Sequence, residues 1–414
     1  MPGATPGVMP GAYDEVAYPG FVYAQTHPQQ LEVIGRLFGL RPPPASASRV
    51  LEVGCGDGVN ALAVARALPG ARVVGIDRAA SAVERGRGQR AAAGLNNIEL
   101  LVEDLADTSL AERLGGFDYV IAHGVFSWVP PAARSALLAL IRAVLAPEGI
   151  AFVSYNAYPG SYLRDMARDV LEYHLRGVAP AQARIGQAHE LMQAIVSIES
   201  PSPYARVLRE QLQRMLEGSD ALLYHDELAE VSTPFYFHEF IEQASSHGLQ
   251  FLSEASLSDS QMREVPAGVA ALMAALPPEA VVREQYLDFF RNRMFRQTLL
   301  VHSELEVTRQ LDGSAIEGLW LSSPAQLNDG AYVVDAGGSV ETTDPLVTAV
   351  LDELGAAWPG ALRFDELIAR TLRRLGQDSA SLPGERREQL RVELLELYLV
   401  HVVKLSSVAP AGAG

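Results

Sequence analysis

The sequence predicts an α/β protein in which a mostly parallel sheet is covered by helices on both faces. Short continuous apolar runs recur from residue 49 onward, as in strands that are buried on both faces. Helical patterns separate these runs, and strands that alternate with helices at this spacing form parallel sheets. A glycine-rich turn, Gly54 to Gly58, joins the first strand to the next helix.

The composition is typical of a soluble globular protein, with 48% hydrophobic and 20% charged residues in a chain of 414. The net charge of -17 and the lack of a basic cluster argue against nucleic-acid binding. No apolar run approaches the length of a membrane span, and no charged start precedes an apolar run, so we expect neither membrane insertion nor a secretory signal. The single cysteine, Cys55, excludes an internal disulfide and fits a cytoplasmic location.

The elements follow one another in a regular order. An aromatic arm leads into a helix over residues 29–38, and the proline-rich stretch 41–48 is a stiff linker. The alternation then predicts strand 49–54, helix 58–68, strand 71–77, helix 79–93, strand 98–102, strand 119–122, helix 130–145 and strand 150–155.

After the fifth strand the pattern changes. Residues 161–230 have apolar positions at three- and four-residue steps and are mainly helical. The α/β pattern returns with helix 235–248, strand 249–255 and strand 295–304, so we interpret 161–230 as an insertion into one sheet domain. Residues 305–414 combine a short β-like region with three helical patterns and resemble a winged helix. Because this segment lacks a basic face, a protein-contact or structural role is favoured.

These patterns divide the chain into six parts. They are a disordered tail (1–12), an N-terminal arm or lid with its linker (13–48), the ligand-binding core (49–160), the helical insertion (161–230), the remainder of the sheet (231–304) and a C-terminal domain (305–414).

A strand, a glycine-rich turn and a helix form an arrangement that binds nucleotides. Glycines let the backbone approach a ligand closely, and the helix N-terminus offers free N–H groups. Asp77 ends the second strand, where an acid bonds ribose hydroxyls. Gly56, Gly58 and Ala61 also fit a dinucleotide pattern, so a dehydrogenase is an alternative.

Three features favour S-adenosylmethionine as the ligand. The stretch VLEVGCGDG (50–58), a strand ending in Glu52 before a Gly-x-Gly-x-Gly turn, resembles the first motif of class I methyltransferases. Glu103-Asp104-Leu105, after the third strand, resembles the acid and apolar pair that contacts adenine in that family. The late helix, strand and strand resemble the reversed terminal hairpin of the seven-stranded, doubly wound, Rossmann-like methyltransferase sheet. The resemblance implies methyl transfer, with S-adenosylhomocysteine as the product.

Longer segments resemble one bacterial family of methyltransferases that carry a methyltransferase regulatory domain. They are YDEVAYPGFVYAQTHPQQL (13–31), HGVFSWVP (123–130), VSYNAYPG (153–160), TPFYFHEFIEQASSHGLQFLSEA (233–255) and YLDFFRNRMFRQTLLVH (286–302). Members of this family include rickettsial protein lysine methyltransferases that modify outer-membrane proteins. The resemblance covers most of residues 13–304, and its motifs are more specific for the family than for a substrate.

Ligands of open α/β sheets bind beyond the C-terminal ends of the strands. We therefore expect the cofactor to contact the ends of the first four strands and, from the resemblance, one arm residue: Gln25, Glu52, Gly54, Cys55, Gly56, Gly58, Asn60, Asp77, Arg78, Asp104, Leu105, His123, Gly124 and Val125. We interpret Cys55 as a small loop residue, because nothing gives it a basic partner, and His123 as a strand-end contact in preference to a base. No His/Cys spacing indicates a metal.

The acceptor site is predicted from aromatic and amide residues at the same edge. The catalytic candidates are Tyr18, Trp128, Asn156 and Tyr158, with Tyr13 in the same pocket. A lysine amine must lose a proton before it attacks, and aromatic rings attract the methylammonium product. The arm, residues 13–27, is expected to fold over the cofactor as a lid. Packing of the next helix is the alternative role for Trp128.

Three functional hypotheses follow. The first is an amine methyltransferase that acts on lysine in a protein or peptide, since the insertion and C-terminal domain offer a large docking surface. The second is an N- or O-methyltransferase of a small molecule or a ribosomal natural-product peptide, which would have a closed pocket beneath the insertion. The third is a non-catalytic interaction module, against which the intact glycine turn, Asp77 and Asp104 argue. A homodimer is compatible with each.

Overall fold

The computed structural model describes residue 16 and residues 18–260, 267–335, 338–377 and 382–409. Its main sheet has seven strands: β1 (Arg49–Val53), β2 (Arg72–Asp77), β3 (Ile98–Val102), β4 (Phe117–Ala122), β5 (Leu145–Asn156), β6 (Leu249–Glu254) and β7 (Phe295–His302). Their order across the sheet is β3-β2-β1-β4-β5-β7-β6. Strands β1 to β5 are parallel, and β7 is antiparallel to both of its neighbours. This order confirms the predicted doubly wound sheet with a reversed terminal hairpin.

Helices cover both faces of the sheet, which explains the continuous apolar runs. On the N-terminal side these are α1 (Pro28–Leu37), α2 (Val59–Ala67), α3 (Ala80–Ala93), α4 (Leu110–Leu114) and α5 (Pro131–Val144), with 3-10 turns at Ala24–Thr26, Ala45–Ala47 and Phe126–Trp128. Val50 and Leu51 are both fully buried but belong to different apolar clusters. Successive side chains of a strand point to opposite faces, so both faces of β1 are covered.

A group of helices lies between β5 and β6 in the chain. It comprises α6 (Ser161–His174), α7 (Ala181–Val196), α8 (Pro203–Glu217) and short turns at Asp220–Leu222 and Leu223–Glu227. These helices share an apolar cluster of their own, which includes the fully buried Leu171, Met192 and Leu212. The chain returns to the sheet through α9 (Phe237–Ser246). The domain limits given above stay predictions.

The terminal hairpin is tied to its helices by a buried ion network. The chain between β6 and β7 includes a 3-10 turn (Leu257–Ser260), α10 (Ala267–Ala275) and α11 (Ala280–Arg291). Arg296 of β7 is fully buried and pairs with Glu254 at 2.7 Å, Asp288 at 2.8 Å and Glu284 at 3.0 Å. Its guanidinium also lies 3.8 Å from the ring centre of Phe237. Each buried charge therefore has a partner, which a buried ion pair needs to offset its loss of hydration.

The described residues of the C-terminal part form short strands and three helices. In chain order they are a 3-10 turn (Gly313–Gly318), β8 (Trp320–Ser322), β9 (Gln326–Asn328), β10 (Ala331–Val333), β11 (Ser339–Glu341), α12 (Pro345–Ala357), β12 (Leu362–Arg363), α13 (Phe364–Arg374), α14 (Gly384–Leu399) and β13 (Lys404–Ser406). The strands form two sheets, β11-β10-β9 and β12-β8-β13. The resemblance to a winged helix stays a prediction.

The C-terminal part packs against the beginning of the chain. Leu31 and Ile34 of α1 share one apolar cluster with Leu399 at the end of α14. The Gln30 side-chain amide donates a hydrogen bond to the Tyr398 hydroxyl at 2.9 Å. Within the described ranges, no helix has both the length and the apolar composition required to cross a membrane.

Candidate functional site

The turn after β1 is built from glycines for two physical reasons. Gly54, Gly56 and Gly58 all have left-handed backbones, with φ of 72°, 56° and 76°. A β-carbon on Gly54 would also lie 2.4 Å from a methyl group of Val125, so the turn packs closely against the end of β4. A β-carbon on Gly56 would meet no atom within 4 Å. The Gly56 backbone therefore offers an open face that a ligand can approach.

Asp77 at the end of β2 orders this turn. Its Oδ2 accepts a hydrogen bond from the Gly56 backbone N–H at 2.8 Å. Its Oδ1 accepts one from the Ala79 backbone N–H, also at 2.8 Å. A carboxylate has about four acceptor positions, so Asp77 can still bind ligand hydroxyls. Arg78, the next residue, is exposed. After β3, Asp104 is exposed and Leu105 is half-buried, which places a second acid and an apolar side chain at this edge.

Glu52 is the buried acid of the site. Burial raises its pKa to about 7, because the carboxylate is removed from water. Asn60 of α2 donates a hydrogen bond to Glu52 Oε1 at 3.0 Å, whereas the buried Oε2 has no hydrogen-bond partner among the described residues. Glu52 can therefore accept a hydrogen bond from a ligand. Burial also raises the pKa of Cys55, and such a protonated thiol is a poor nucleophile.

The N-terminal arm is fastened to α2 by Asn60. The Asn60 Oδ1 accepts a hydrogen bond from the Tyr23 backbone N–H at 2.9 Å, and Asn60 Nδ2 donates one to Thr26 Oγ1 at 3.1 Å. Thr26 Oγ1 in turn donates to the Tyr23 carbonyl at 2.8 Å. Gln25 lies half-buried in the 3-10 turn between them. One amide therefore links the acid Glu52 to the arm.

His123 at the end of β4 lies between aromatic rings. The Tyr23 ring stacks on it at 3.8 Å between centroids, and Phe152 lies nearly parallel to it at 5.8 Å. Burial lowers the pKa of His123 to about 4, so the imidazole is neutral near pH 7. The next residue, Gly124, is exposed with φ of 67°, and its N–H donates to Ser154 Oγ at 2.8 Å.

Asn156 ends β5 beside this edge. Its backbone N–H donates to Ser127 Oγ at 2.8 Å, and its carbonyl accepts from the Phe235 N–H at 2.9 Å. Asn156 pairs across the sheet with Phe295, whose ring lies 6.0 Å from that of His123. The buried Asn156 Nδ2 has no hydrogen-bond partner among the described residues. An amide donor is therefore available next to the ends of β4 and β5.

Three tyrosines and a carboxylate follow β5; we call Tyr158, Tyr162, Tyr236 and Asp165 the tyrosine cluster. Tyr158 stacks on Tyr162 at 4.2 Å, and its hydroxyl donates to Asp165 Oδ2 at 3.0 Å. The hydroxyls of Tyr162 and Tyr236 are 3.1 Å apart. Burial raises the pKa values of both Tyr158 and Asp165. The cluster combines ring faces with an acid whose proton affinity is increased.

The other two catalytic candidates contact the helical segment. Trp128 lies beneath the guanidinium of Arg164, which is 5.5 Å from the ring centre. Tyr18 packs edge-on against His225 at 5.5 Å. The four catalytic candidates therefore do not share one contact. Asn156 and Tyr158 lie at the end of β5, whereas Trp128 and Tyr18 pack against residues of the helical segment. Tyr13 and the predicted tail 1–12 lie outside the described residues.

Sequence reasoning missed several residues of the site. Tyr23 lay within the predicted lid, but nothing in the sequence paired it with His123. Ser154 was also missed, because a hydroxyl inside an apolar strand gives no signal for its partner. Tyr162 and Asp165 were detectable, since residues three apart on a helix share a face.

Comparisons with known proteins agree with this geometry. Residues 50–149 match the family described as "Methyltransferase domain", and residues 219–302 match "Predicted methyltransferase regulatory domain". Two uncharacterized proteins of Rickettsia prowazekii are each 36% identical to the chain, over 74% and 58% of it. The matched part is 55% of the first protein, so the chain spans about half of that relative, and 96% of the second.

A solved structure resembles nearly the whole chain. PKMT2 from Rickettsia typhi matches with a TM-score of 0.80 at 29% identity, over 95% of this chain and 77% of that one. The same protein in complex with AdoHcy matches with a TM-score of 0.80 at 28% identity, over 95% and 78% of the two chains.

The sheet order, the open glycine turn and the acids that follow β2 and β3 define a class I S-adenosylmethionine-dependent methyltransferase. Within this class, the chain belongs to the family that carries a methyltransferase regulatory domain. The dehydrogenase and the non-catalytic module are therefore set aside, and the cofactor is S-adenosylmethionine.

Proposed function

We propose that the protein methylates the ε-amine of a lysine in a protein or peptide. The observation that carries this proposal is the tyrosine cluster after β5, where Tyr158 stacks on Tyr162 and its hydroxyl donates to the half-buried Asp165. Aromatic faces and a carboxylate both attract ammonium and methylammonium groups. The similarity to PKMT2 supports the same acceptor, as the family resemblance implies.

The cofactor-binding roles are part of the proposal. The open backbone of Gly56 allows close approach of the ligand, and Asp77 accepts hydrogen bonds from the ribose hydroxyls. Asp104 and Leu105 border the adenine. The unpaired Oε2 of Glu52 accepts a hydrogen bond from the amino group of the cofactor's methionine part. S-adenosylmethionine, when bound, supplies an electrophilic methyl group on a sulfonium.

The acceptor residues hold the amine and receive its proton. A lysine ammonium has a pKa near 10.4 and must become neutral to attack. Asp165 is suited to accept that proton, because burial already raises its pKa. The Tyr158 hydroxyl keeps the carboxylate in place by donating a hydrogen bond to Asp165 Oδ2.

A small-molecule or natural-product acceptor, methylated at N or O, is the second candidate. It would require a closed pocket beneath the helices of residues 161–230. The groove that adjoins the tyrosine cluster is open along α6, which supports a polypeptide acceptor.

The test is mass spectrometry after incubation with S-adenosylmethionine. The acceptors are a lysine peptide, its norleucine analogue, a serine and tyrosine peptide, and a panel of small amines. We expect only the lysine peptide to gain mass, in steps of one methyl group. We also expect Asp165→Asn to lower kcat for that peptide. Asp335→Asn, an exposed acid of the C-terminal part, is the matched control. Methylation of hydroxyl peptides or small amines alone would reject the proposal.

A further inference from the structure

An open groove of about 470 Å³ runs along α6, from Tyr162 to Tyr173, with Tyr204 of α8 on its other side. We propose that this groove binds a positively charged, extended segment of the substrate polypeptide next to the acceptor lysine. The inference rests on the proposed function, since it assigns the substrate class of the same site.

One face of α6 forms the groove. Tyr162, Asp165, Asp169 and Tyr173 follow one another at steps of three or four residues, so they share a side of the helix. The residues Tyr162, Tyr173 and Tyr204 are 51%, 69% and 55% exposed. Exposed rings that flank two acids favour a ligand with cationic and apolar parts.

The two arginines of α6 are not among the residues that line the groove. Arg168 is buried and donates to the backbone carbonyls of Asp226, Glu227 and Ala229. Arg164 pairs with the Glu227 side chain at 2.9 Å. Both guanidinium groups are therefore bound by groups outside the groove, although their charge also opposes the rise in the pKa of Asp165.

One cation lies at the far end of the groove. The Arg176 guanidinium lies 4.5 Å from the ring centre of Tyr173, which shows that this ring can hold a cation. Asp169 is exposed and lies one helical turn from Asp165. With a net charge of -17 on the whole chain, charge complementarity selects a basic occupant.

The dimensions define which part of the substrate would lie here. The stretch of α6 from Tyr162 to Tyr173 is roughly 16 Å long at 1.5 Å per residue. An extended peptide covers that distance with about five residues. The groove begins where Tyr162 stacks on Tyr158 of the acceptor site. We therefore expect a second lysine or arginine within about five residues of the methylated lysine.

The test measures peptide binding without turnover. Three fluorescein-labelled decapeptides are used. Each has a central lysine, flanked by arginine in the first, glutamine in the second and glutamate in the third. The protein is titrated into each peptide with S-adenosylhomocysteine present, and binding is measured by fluorescence anisotropy. We expect the arginine peptide to bind about five-fold more tightly than the glutamine peptide, and this preference to shrink as salt is added. Asp169→Arg should abolish the preference. Glu190→Arg, a charge reversal at an exposed position of α7 outside the groove, should retain it.

Several outcomes would overturn the inference. Two of them are equal affinity for all three peptides and an unchanged preference in Asp169→Arg. The third is a native protein that sediments as a dimer and becomes monomeric in Asp169→Arg, because the groove would then bind a second copy of the chain. If Asp169→Arg fails to fold, Asp169→Asn should still weaken arginine-peptide binding about two-fold. Charge-selective binding without any lysine methylation would reject the proposed function and leave the groove as a binding site.

Discussion

The ring of Tyr23 lies almost flat on the imidazole of His123, with centroids 3.8 Å apart and 17° between the planes. Tyr23 belongs to the N-terminal arm and His123 directly follows β4, so this contact brings the arm over the edge where the glycine turn lies. It also helps to bury the imidazole, whose pKa falls to about 4.

Replacing Tyr23 by alanine should expose His123 and weaken cofactor binding several-fold. The imidazole pKa should rise from about 4 toward its ordinary value of 6.5, because burial is what lowers it. In the native protein, unfolding releases the imidazole to bind protons, so stability should fall as the pH drops from about 6.5 to about 4. NMR titration of His123 and calorimetry with S-adenosylhomocysteine measure both effects. Tyr23→Phe, which keeps the ring, should behave like the native protein.

Glu52 should contribute to stability with the opposite pH dependence. Its pKa is raised from 4.5 to about 7 in the folded state, so the folded protein holds a proton that the unfolded chain loses. Stability should therefore decrease as the pH rises from about 4.5 to about 7, by up to about 3 kcal/mol. Urea unfolding of Glu52→Gln should lack this decrease, while its cofactor affinity falls. Equal pH profiles for the two proteins would contradict the assignment.

Removing the Asn60 side chain should release the arm. Asn60→Ala leaves the Tyr23 N–H and the Thr26 hydroxyl without this partner, at a cost of about 1–3 kcal/mol. Chymotrypsin should then cleave faster after Phe21 and Tyr23, as followed by mass spectrometry. Asn96→Ala, at an exposed position, is the control and should be cleaved at the native rate. Unchanged cleavage of Asn60→Ala would show that other contacts hold the arm.

The glycines of the turn should respond differently to alanine. Gly54→Ala should destabilise the fold, because its β-carbon would lie 2.4 Å from the Val125 methyl group. Gly56→Ala should retain more of its thermal stability but lose cofactor affinity, since its β-carbon enters the open face of the turn. Gly88→Ala, in α3 with nothing within 4 Å, should be neutral or more stable by up to about 1 kcal/mol. Thermal melts with and without S-adenosylhomocysteine separate these effects.

The parallel strands and the glycine turn were predictable because their signals are local. Even the edge strand β3 is a short, mostly apolar run, and its predicted limits, 98–102, agree with the structure. The strands of the C-terminal part were mostly missed: β12 has two residues and β8 three, too few to show a period.

The arm was harder to predict, since its irregular backbone has no period that reveals its path. The end of the arm has a local contact: His27 precedes α1, and its Nδ1 accepts from the Gln29 N–H at 3.3 Å. The partners of Tyr23 and Thr26 lie more than thirty residues away, so they depend on tertiary packing.

The bond between Gln30 and Tyr398 joins residues 368 positions apart, in a core that both ends of the chain share. A ribosome that adds about 5–20 residues per second would leave α1 without this partner for roughly 20–70 s. During that time the part of α1 that later packs against the C-terminal part is open to wrong contacts or to a chaperone. The core around α1 can therefore be completed only after α14 has been synthesised, which places the closure of this core among the last steps of folding.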